Sequence, residues 1–113
     1  IYFTVEADGS VYPCDFYALD EWKLGNITNH SFKAMLGTEK ARSFLDASRY
    51  ISPECRGCAV FSLCRGGCRR DREPFFEGKA VLNRYCEAFK GFFDYAKPLL
   101  EKLAAAPRAG HPD

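Results

Sequence analysis

At 113 residues the chain is long enough for one small domain, and its net charge of +1 gives no reason to expect nucleic acid or an acidic membrane surface as a partner. Charged residues make up 27% of the chain and apolar residues 47%, which argues against disorder. No run of about 18 apolar residues occurs, so we expect no membrane-spanning segment. Because Ile1 already continues a strand pattern, we expect the chain to be a fragment of a longer protein.

The N-terminal residues predict a β-hairpin. Apolar and polar residues alternate over residues 1–6, and Asp8-Gly9 is a strong signal for a two-residue turn between two strands. A loop of that length pairs Phe3 with Cys14, which would give Cys14 an apolar environment.

The following residues predict an edge strand, a turn and two helices. Pro13 cannot donate a hydrogen bond to a ladder, so its strand should lie at the edge of a sheet. Residues 23–27 predict a turn. Ser31 is a good cap for a short helix, and Thr38 is a good cap for a second helix over residues 39–48.

The clearest helix is predicted near the C-terminal end. Asn83 is a good N-cap, and Cys86 would lie in the first turn, where exposed N–H groups favour a thiolate. Apolar residues then recur at helical spacing, which predicts a stripe packed in the core: Tyr85, Phe89, Phe92, Ala96, Leu99, Leu100 and Leu103. We expect residues 1–104 to form the domain and residues 105–113 to be a flexible tail.

Four of the six cysteines are crowded into one segment, at Cys55, Cys58, Cys64 and Cys68. The segment has too few apolar residues to form a core of its own, so the thiols should bind a metal, bind an iron–sulfur cluster or form disulfides. The close spacings, with no recognisable secretory signal, favour a reduced cytoplasmic compartment and metal chemistry.

Spacing alone leaves zinc and iron–sulfur both open. Zinc would use the four crowded cysteines as one tetrahedral site and leave Cys14 and Cys86 unused. A cluster also takes four thiolates, often with one distant ligand, so Cys68 could serve a second cluster while Cys86 completes the first. The cluster interpretation uses all six cysteines.

Several motifs together resemble the SPASM domain of anaerobic sulfatase-maturating enzymes, which are radical S-adenosylmethionine enzymes. These motifs are Cys14-Asp15, the run 23–27, the crowded cysteine series with Gly66-Gly67, and Tyr85-Cys86-Glu87. The resemblance covers nearly the whole chain and ends before Ala104. It implies an α+β domain with an N-terminal β-hairpin, short helices, a Cys-rich cluster-binding loop and a long C-terminal helix.

The resemblance implies two auxiliary 4Fe–4S clusters in the parent enzyme. The residues that match the complete ligand set of one cluster are Cys55, Cys58, Cys64 and Cys86. Cys14 and Cys68 match two ligands of the other cluster, whose remaining ligands precede the hairpin in the family. S-adenosylmethionine would bind to a barrel domain that this chain does not contain, and zinc is a possible substitute for a cluster.

Asp15 is the catalytic candidate that the resemblance implies. In the family, the aspartate after this cysteine is implicated as the base that takes a proton from the heteroatom of the substrate radical. The residues alone favour a plainer role, in which Asp15 accepts a hydrogen bond at a strand end. Gly66 and Gly67 could let the backbone approach sulfur and donate N–H groups to it, or could simply form a turn.

The activity implied for the parent is oxidation of a cysteine or serine in a sulfatase peptide to Cα-formylglycine. Its partners would be that peptide and its own barrel domain, and the fragment alone should be inactive. Two alternatives are the SPASM domain of another peptide-modifying radical enzyme and a stand-alone, zinc-stabilised interaction module.

Overall fold

The computed structural model describes residues 2–106, which form two compact units. The first unit comprises the chain up to Tyr50 together with Glu73–Val81, and the second comprises Ile51–Arg72 and the chain from Leu82 onward. Short strands and helices lie in the first unit and only helices in the second, so the predicted α+β class is confirmed.

The first unit is built on a small antiparallel sheet. Its strands are β1 (Thr4–Val5), β2 (Ser10–Tyr12) and β3 (Gly25–Asn26), in the order β1-β2-β3. All three residues of β2 are buried, as expected of a central strand. The core of this unit includes Val11 of β2 together with Leu24, Met35 and Ala41, and Phe3 packs against it.

The hairpin forms as predicted, but the predicted register is wrong by one residue. Thr4 pairs with Tyr12, so the ladder ends before Cys14 and Phe3 does not pair with it. The loop has three residues because only Gly9 adopts a positive φ, of +82°, while the Asp8 carboxylate accepts hydrogen bonds from Ser10. A one-residue shift reverses which side chains share a face.

Two further sequence predictions are wrong in the same region. β2 is the central strand rather than an edge, and Pro13 lies just beyond it, where its missing N–H costs no ladder bond. Residues 23–27 do not form a simple turn, because Gly25 pairs with Val11 and Asn26 with Ser10.

The helices of the first unit begin at the predicted caps. α1 (Phe32–Leu36) is capped by the Ser31 hydroxyl, and α2 (Glu39–Arg49) by the Thr38 hydroxyl, each of which accepts a backbone N–H bond at 3.2 Å. Two 3₁₀ turns, Asp15–Tyr17 and Asp20–Trp22, precede them. Tyr17, Trp22 and Phe44 pack edge to face as an aromatic cluster.

The second unit contains two one-turn helices, α3 (Pro53–Arg56) and α4 (Phe61–Cys64), a 3₁₀ turn (Arg69–Arg72) and the long helix α5 (Cys86–Ala105). The Cys-rich segment 55–68 therefore includes parts of two short helices. No helix formed by residues 2–106 is both long and apolar enough to cross a membrane.

Two predictions about α5 are wrong. It begins at Cys86, because Asn83 stabilises the turn before the helix rather than its first residues. Its apolar stripe is not core: Phe92, Leu99 and Leu103 are 58%, 60% and 64% exposed. The four-residue α4 is its main packing partner within the second unit and is too short to cover a helix of 20 residues. The predicted tail lies outside the described residues from residue 107 onward.

Replacing Gly9 with alanine should destabilise the protein more than the same change at Gly78. Both glycines have positive φ, which costs an L residue about 1 kcal/mol, but Gly78 faces open space. A Cβ at Gly9 would lie 2.7 Å from the side-chain oxygen of Asn26. Urea unfolding should therefore show a loss of about 1 kcal/mol for Gly78→Ala and a clearly larger loss for Gly9→Ala. Equal losses would contradict the close approach of Asn26.

Candidate metal centre

Four cysteines line a single pocket in the second unit. They are Cys55, Cys58, Cys64 and Cys86, and the apolar part of the wall comes from Val60, Phe61 and Leu82. Cys68 is exposed and is not among the lining residues. None of the six cysteines forms a disulfide. The residues that meet are therefore three of the crowded cysteines and the distant one at the start of α5.

The two one-turn helices and the segment between them present the first three thiols. Pro53 starts α3, a position where its missing N–H costs nothing, and Cys55 lies within that turn. The Cys58 N–H donates to the carbonyl of Cys55 at 3.2 Å, which returns the chain towards α4. Cys64 is the last residue of α4. A run of about ten residues thus folds into two tight turns that direct three thiols towards one pocket.

Asn83 positions the fourth thiol. This side chain is only 4% exposed, and its amide nitrogen donates to the carbonyl of Gly66 at 3.3 Å. Its amide oxygen accepts the Tyr85 N–H at 2.8 Å, and its carbonyl oxygen accepts the Cys86 N–H at 3.0 Å. One buried residue therefore connects the loop after Cys64 to the first residue of α5.

The glycine pair fits the close approach of Asn83. Gly66 and Gly67 have φ of +85° and +67°, and a Cβ at Gly67 would lie 2.6 Å from the Asn83 amide nitrogen. The Gly67 N–H donates to the carbonyl of Cys64 at 2.9 Å, so this N–H is engaged within the turn rather than directed at sulfur. The absence of a side chain at Gly67 is thus required by Asn83 packing.

The thiols that line the pocket interact electrostatically. Burial raises the pKa of the Cys55 thiol, and the charges of the neighbouring thiols raise it further, in the order Cys86, Cys64, Cys58. A hydrogen bond from Lys90 to Glu87 raises the pKa of Lys90, and the charges of Glu87, Cys86 and Cys58 add to that effect. A cation therefore stands beside the thiols.

Four soft thiolates suit zinc or an iron–sulfur cluster. Among residues 2–106, no group of three or more His, Cys, Asp or Glu side chains is close enough to hold a single metal ion. A tetrahedral zinc site needs its sulfurs only about 4 Å apart, since Zn–S bonds are about 2.3 Å long. In a 4Fe–4S cluster each thiolate binds a separate iron, so the sulfurs surround the group at larger separations. The four thiols that line the pocket supply the donor set that either group takes.

The remaining candidates are not among the residues that line this pocket. Cys14 belongs to the first unit and is half-buried, and its thiol donates to the Asp15 carboxylate at 3.2 Å. Asp15 is exposed at the start of a 3₁₀ turn and also accepts the Phe16 N–H at 3.0 Å. Cys68 belongs to the second unit. The hydrogen bond expected of Asp15 from the residues alone is therefore present.

Two residues of the pocket were not recognised from the sequence. Asn83 was assigned only to a helix cap, and Lys90 was given no role. Lys90 follows Cys86 by one helical turn, a spacing that places two side chains on the same face. That spacing would have identified Lys90 once Cys86 was accepted as a ligand.

Comparison with known proteins defines the class. The SPASM family, an iron–sulfur cluster-binding domain, matches residues 1–59, which is more than half of the chain. The chain therefore belongs to the SPASM family of iron–sulfur cluster-binding domains.

The similar proteins are sulfatase-maturating enzymes. The chain is 48% identical over 102 residues to the cysteine-type anaerobic sulfatase-maturating enzyme of Clostridium perfringens, an alignment that covers 90% of this chain and 28% of that protein. The structure of native anSMEcpe with bound AdoMet matches with a TM-score of 0.83 at 47% identity, covering 93% of this chain and 29% of that one. A further anSMEcpe structure, with AdoMet and the Cp18Cys peptide, matches with a TM-score of 0.81 at 48% identity, covering 90% and 28%. The chain thus spans less than a third of the length of these relatives.

Replacing Asn83 with alanine should lower the free energy of unfolding by about 2 kcal/mol, because the buried Gly66 carbonyl and the Tyr85 N–H both lose their partner. Asn29→Ala is the matched control, since Asn29 is exposed and should change stability by less than about 0.5 kcal/mol. Urea unfolding of the three proteins measures the difference. Similar losses for both variants would show that the Asn83 amide does not hold the pocket.

Proposed function

We propose that Cys55, Cys58, Cys64 and Cys86 bind one auxiliary 4Fe–4S cluster in a radical S-adenosylmethionine enzyme. The observation that carries the proposal is the pocket lined by these four thiols, to which Cys86 contributes and Cys68 does not. Membership of the SPASM family agrees with iron–sulfur chemistry at this pocket.

The residues around the thiols have distinct tasks in this proposal. When bound, a 4Fe–4S cluster supplies one-electron transfer. Asn83 and Gly67 hold the start of α5 against the loop after Cys64, which keeps the four thiols at fixed positions. Val60, Phe61 and Leu82 form an apolar wall that limits access of water to the site.

Cys14 and Cys68 are proposed as two ligands of a second cluster. Two more thiolates are needed from elsewhere in the whole protein, since a 4Fe–4S cluster takes four. The isolated chain should therefore assemble one cluster.

We infer that the whole protein oxidises a cysteine or serine of a sulfatase peptide to Cα-formylglycine, using S-adenosylmethionine bound to its barrel domain in the cytoplasm. The 48% identity to a cysteine-type anaerobic sulfatase-maturating enzyme supports this activity, and a relative binds the Cp18Cys peptide. In this reaction Asp15 takes the proton from the heteroatom of the substrate radical. Its exposed carboxylate is accessible to a peptide.

Serine replacement of Cys86 and Cys68 separates the cluster assignment from the zinc alternative. After anaerobic reconstitution, the wild-type chain should contain about four iron and four sulfide per molecule. Cys86→Ser should lose most of this content and the absorbance of the cluster, whereas Cys68→Ser should keep both. The opposite result, with stoichiometric zinc bound in Cys86→Ser and lost in Cys68→Ser, would support the zinc module and reject the proposed ligands.

Replacing Asp15 with asparagine in the whole enzyme should reduce formylglycine formation on a sulfatase peptide by at least about 100-fold, as expected for loss of a general base. Iron and sulfide content should not change. Asp46→Asn is the control, because Asp46 lies exposed on α2 and its carboxylate lies 4.0 Å from the Arg49 guanidinium. An enzyme that modifies another peptide without forming formylglycine would instead belong to a different SPASM class.

A further inference from the structure

Lys90 supplies positive charge to the wall of the cysteine pocket. It follows Cys86 by one turn of α5 and lines the pocket together with the four thiols. No other Lys or Arg is among the described residues that line this pocket, although four arginines lie close by in the sequence, at Arg56, Arg65, Arg69 and Arg70. Lys90 is therefore the one cation among the described residues of the pocket wall.

A carboxylate holds Lys90 in place. The Lys90 ammonium lies 3.0 Å from a carboxylate oxygen of Glu87, which is one turn earlier and is not a lining residue. Glu87 is 86% exposed and Lys90 only 43%, so the cation lies on the pocket side of the pair. The other charged group in the wall, Glu54, accepts a hydrogen bond from the Ser52 hydroxyl.

We propose that Lys90 raises the reduction potential of the cluster held by Cys55, Cys58, Cys64 and Cys86, with Glu87 as its positioning partner. This inference rests on the proposed function. Reduction adds one negative charge to a cluster that already carries four thiolates. A neighbouring cation therefore stabilises the reduced cluster more than the oxidised cluster. The exposed part of Lys90 is screened by solvent and salt, so the effect weakens as ionic strength rises.

Redox titration of the reconstituted chain, followed by electron paramagnetic resonance, tests this role. Lys90→Met removes the charge and keeps an unbranched side chain, so its midpoint potential should be more negative than that of the wild type. Lys90→Arg restores the charge and should return the potential towards the wild-type value. Lys97→Met removes an exposed lysine of the same helix that does not line the pocket, and should leave the potential unchanged.

Iron and sulfide content of each variant distinguishes this inference from the ligand assignment. If all variants carry the same cluster and Lys90→Met keeps the wild-type potential, the role of Lys90 is rejected while the ligands stand. A shift of equal size in Lys97→Met also rejects it, because the effect would then be general to the charge of the chain. A wild-type chain that assembles no cluster rejects the ligand assignment and the inference together.

Discussion

The buried amide of Asn83 is the contact on which the cysteine pocket depends. Cys55 and Cys64 lie on two adjacent one-turn helices and Cys58 lies between them, but the fourth thiol comes from α5, beyond the long connection of residues 65–85. Closing such a connection costs conformational entropy, and few of the described apolar residues of the second unit are buried to offset it. Asn83 fixes both ends of it at once, by bonding to the Gly66 carbonyl and by forming the turn that leads into Cys86. The requirement for glycine at position 67 follows from this contact.

This arrangement relates folding to metal chemistry. Ligands that lie far apart in sequence bind a metal only when the chain between them is folded, so the binding free energy of the group contributes to the stability of the unit. The local zinc interpretation would stabilise only residues 55–68, whereas the proposed ligands include the helix that forms the rest of the second unit. The same helix also brings Lys90 to the pocket, because Lys90 lies one turn after Cys86.

The sequence predicted those features that depend on local chemistry. The helix caps at Ser31 and Thr38 and the hairpin at Asp8-Gly9 were correct, since each depends on neighbouring backbone groups. The register was wrong because the Asp8 carboxylate bonds to Ser10 and lengthens the loop, a choice that residue types alone do not reveal. The sequence did not predict β3, because a strand forms only where a partner distant in sequence pairs with it. It also did not predict that the apolar stripe of α5 is exposed, because burial of a helix face depends on elements distant in sequence. Spacing left two groupings of the cysteines open, and the set with Cys86 came from the family resemblance, whereas the roles of Asn83 and Lys90 required the fold.

The raised pKa of Cys55 has a consequence for how the centre assembles. The thiolate is the form that attacks disulfides and reacts with oxidants, so a raised pKa makes Cys55 a slower nucleophile than an unshifted cysteine at the same pH. The thiol proton has to leave when a metal binds, because thiolates are the ligands. Loading therefore becomes more favourable as the pH rises towards the pKa of this thiol. Partial burial of Cys55 therefore slows its oxidation and also opposes metal loading, because loading must remove the proton.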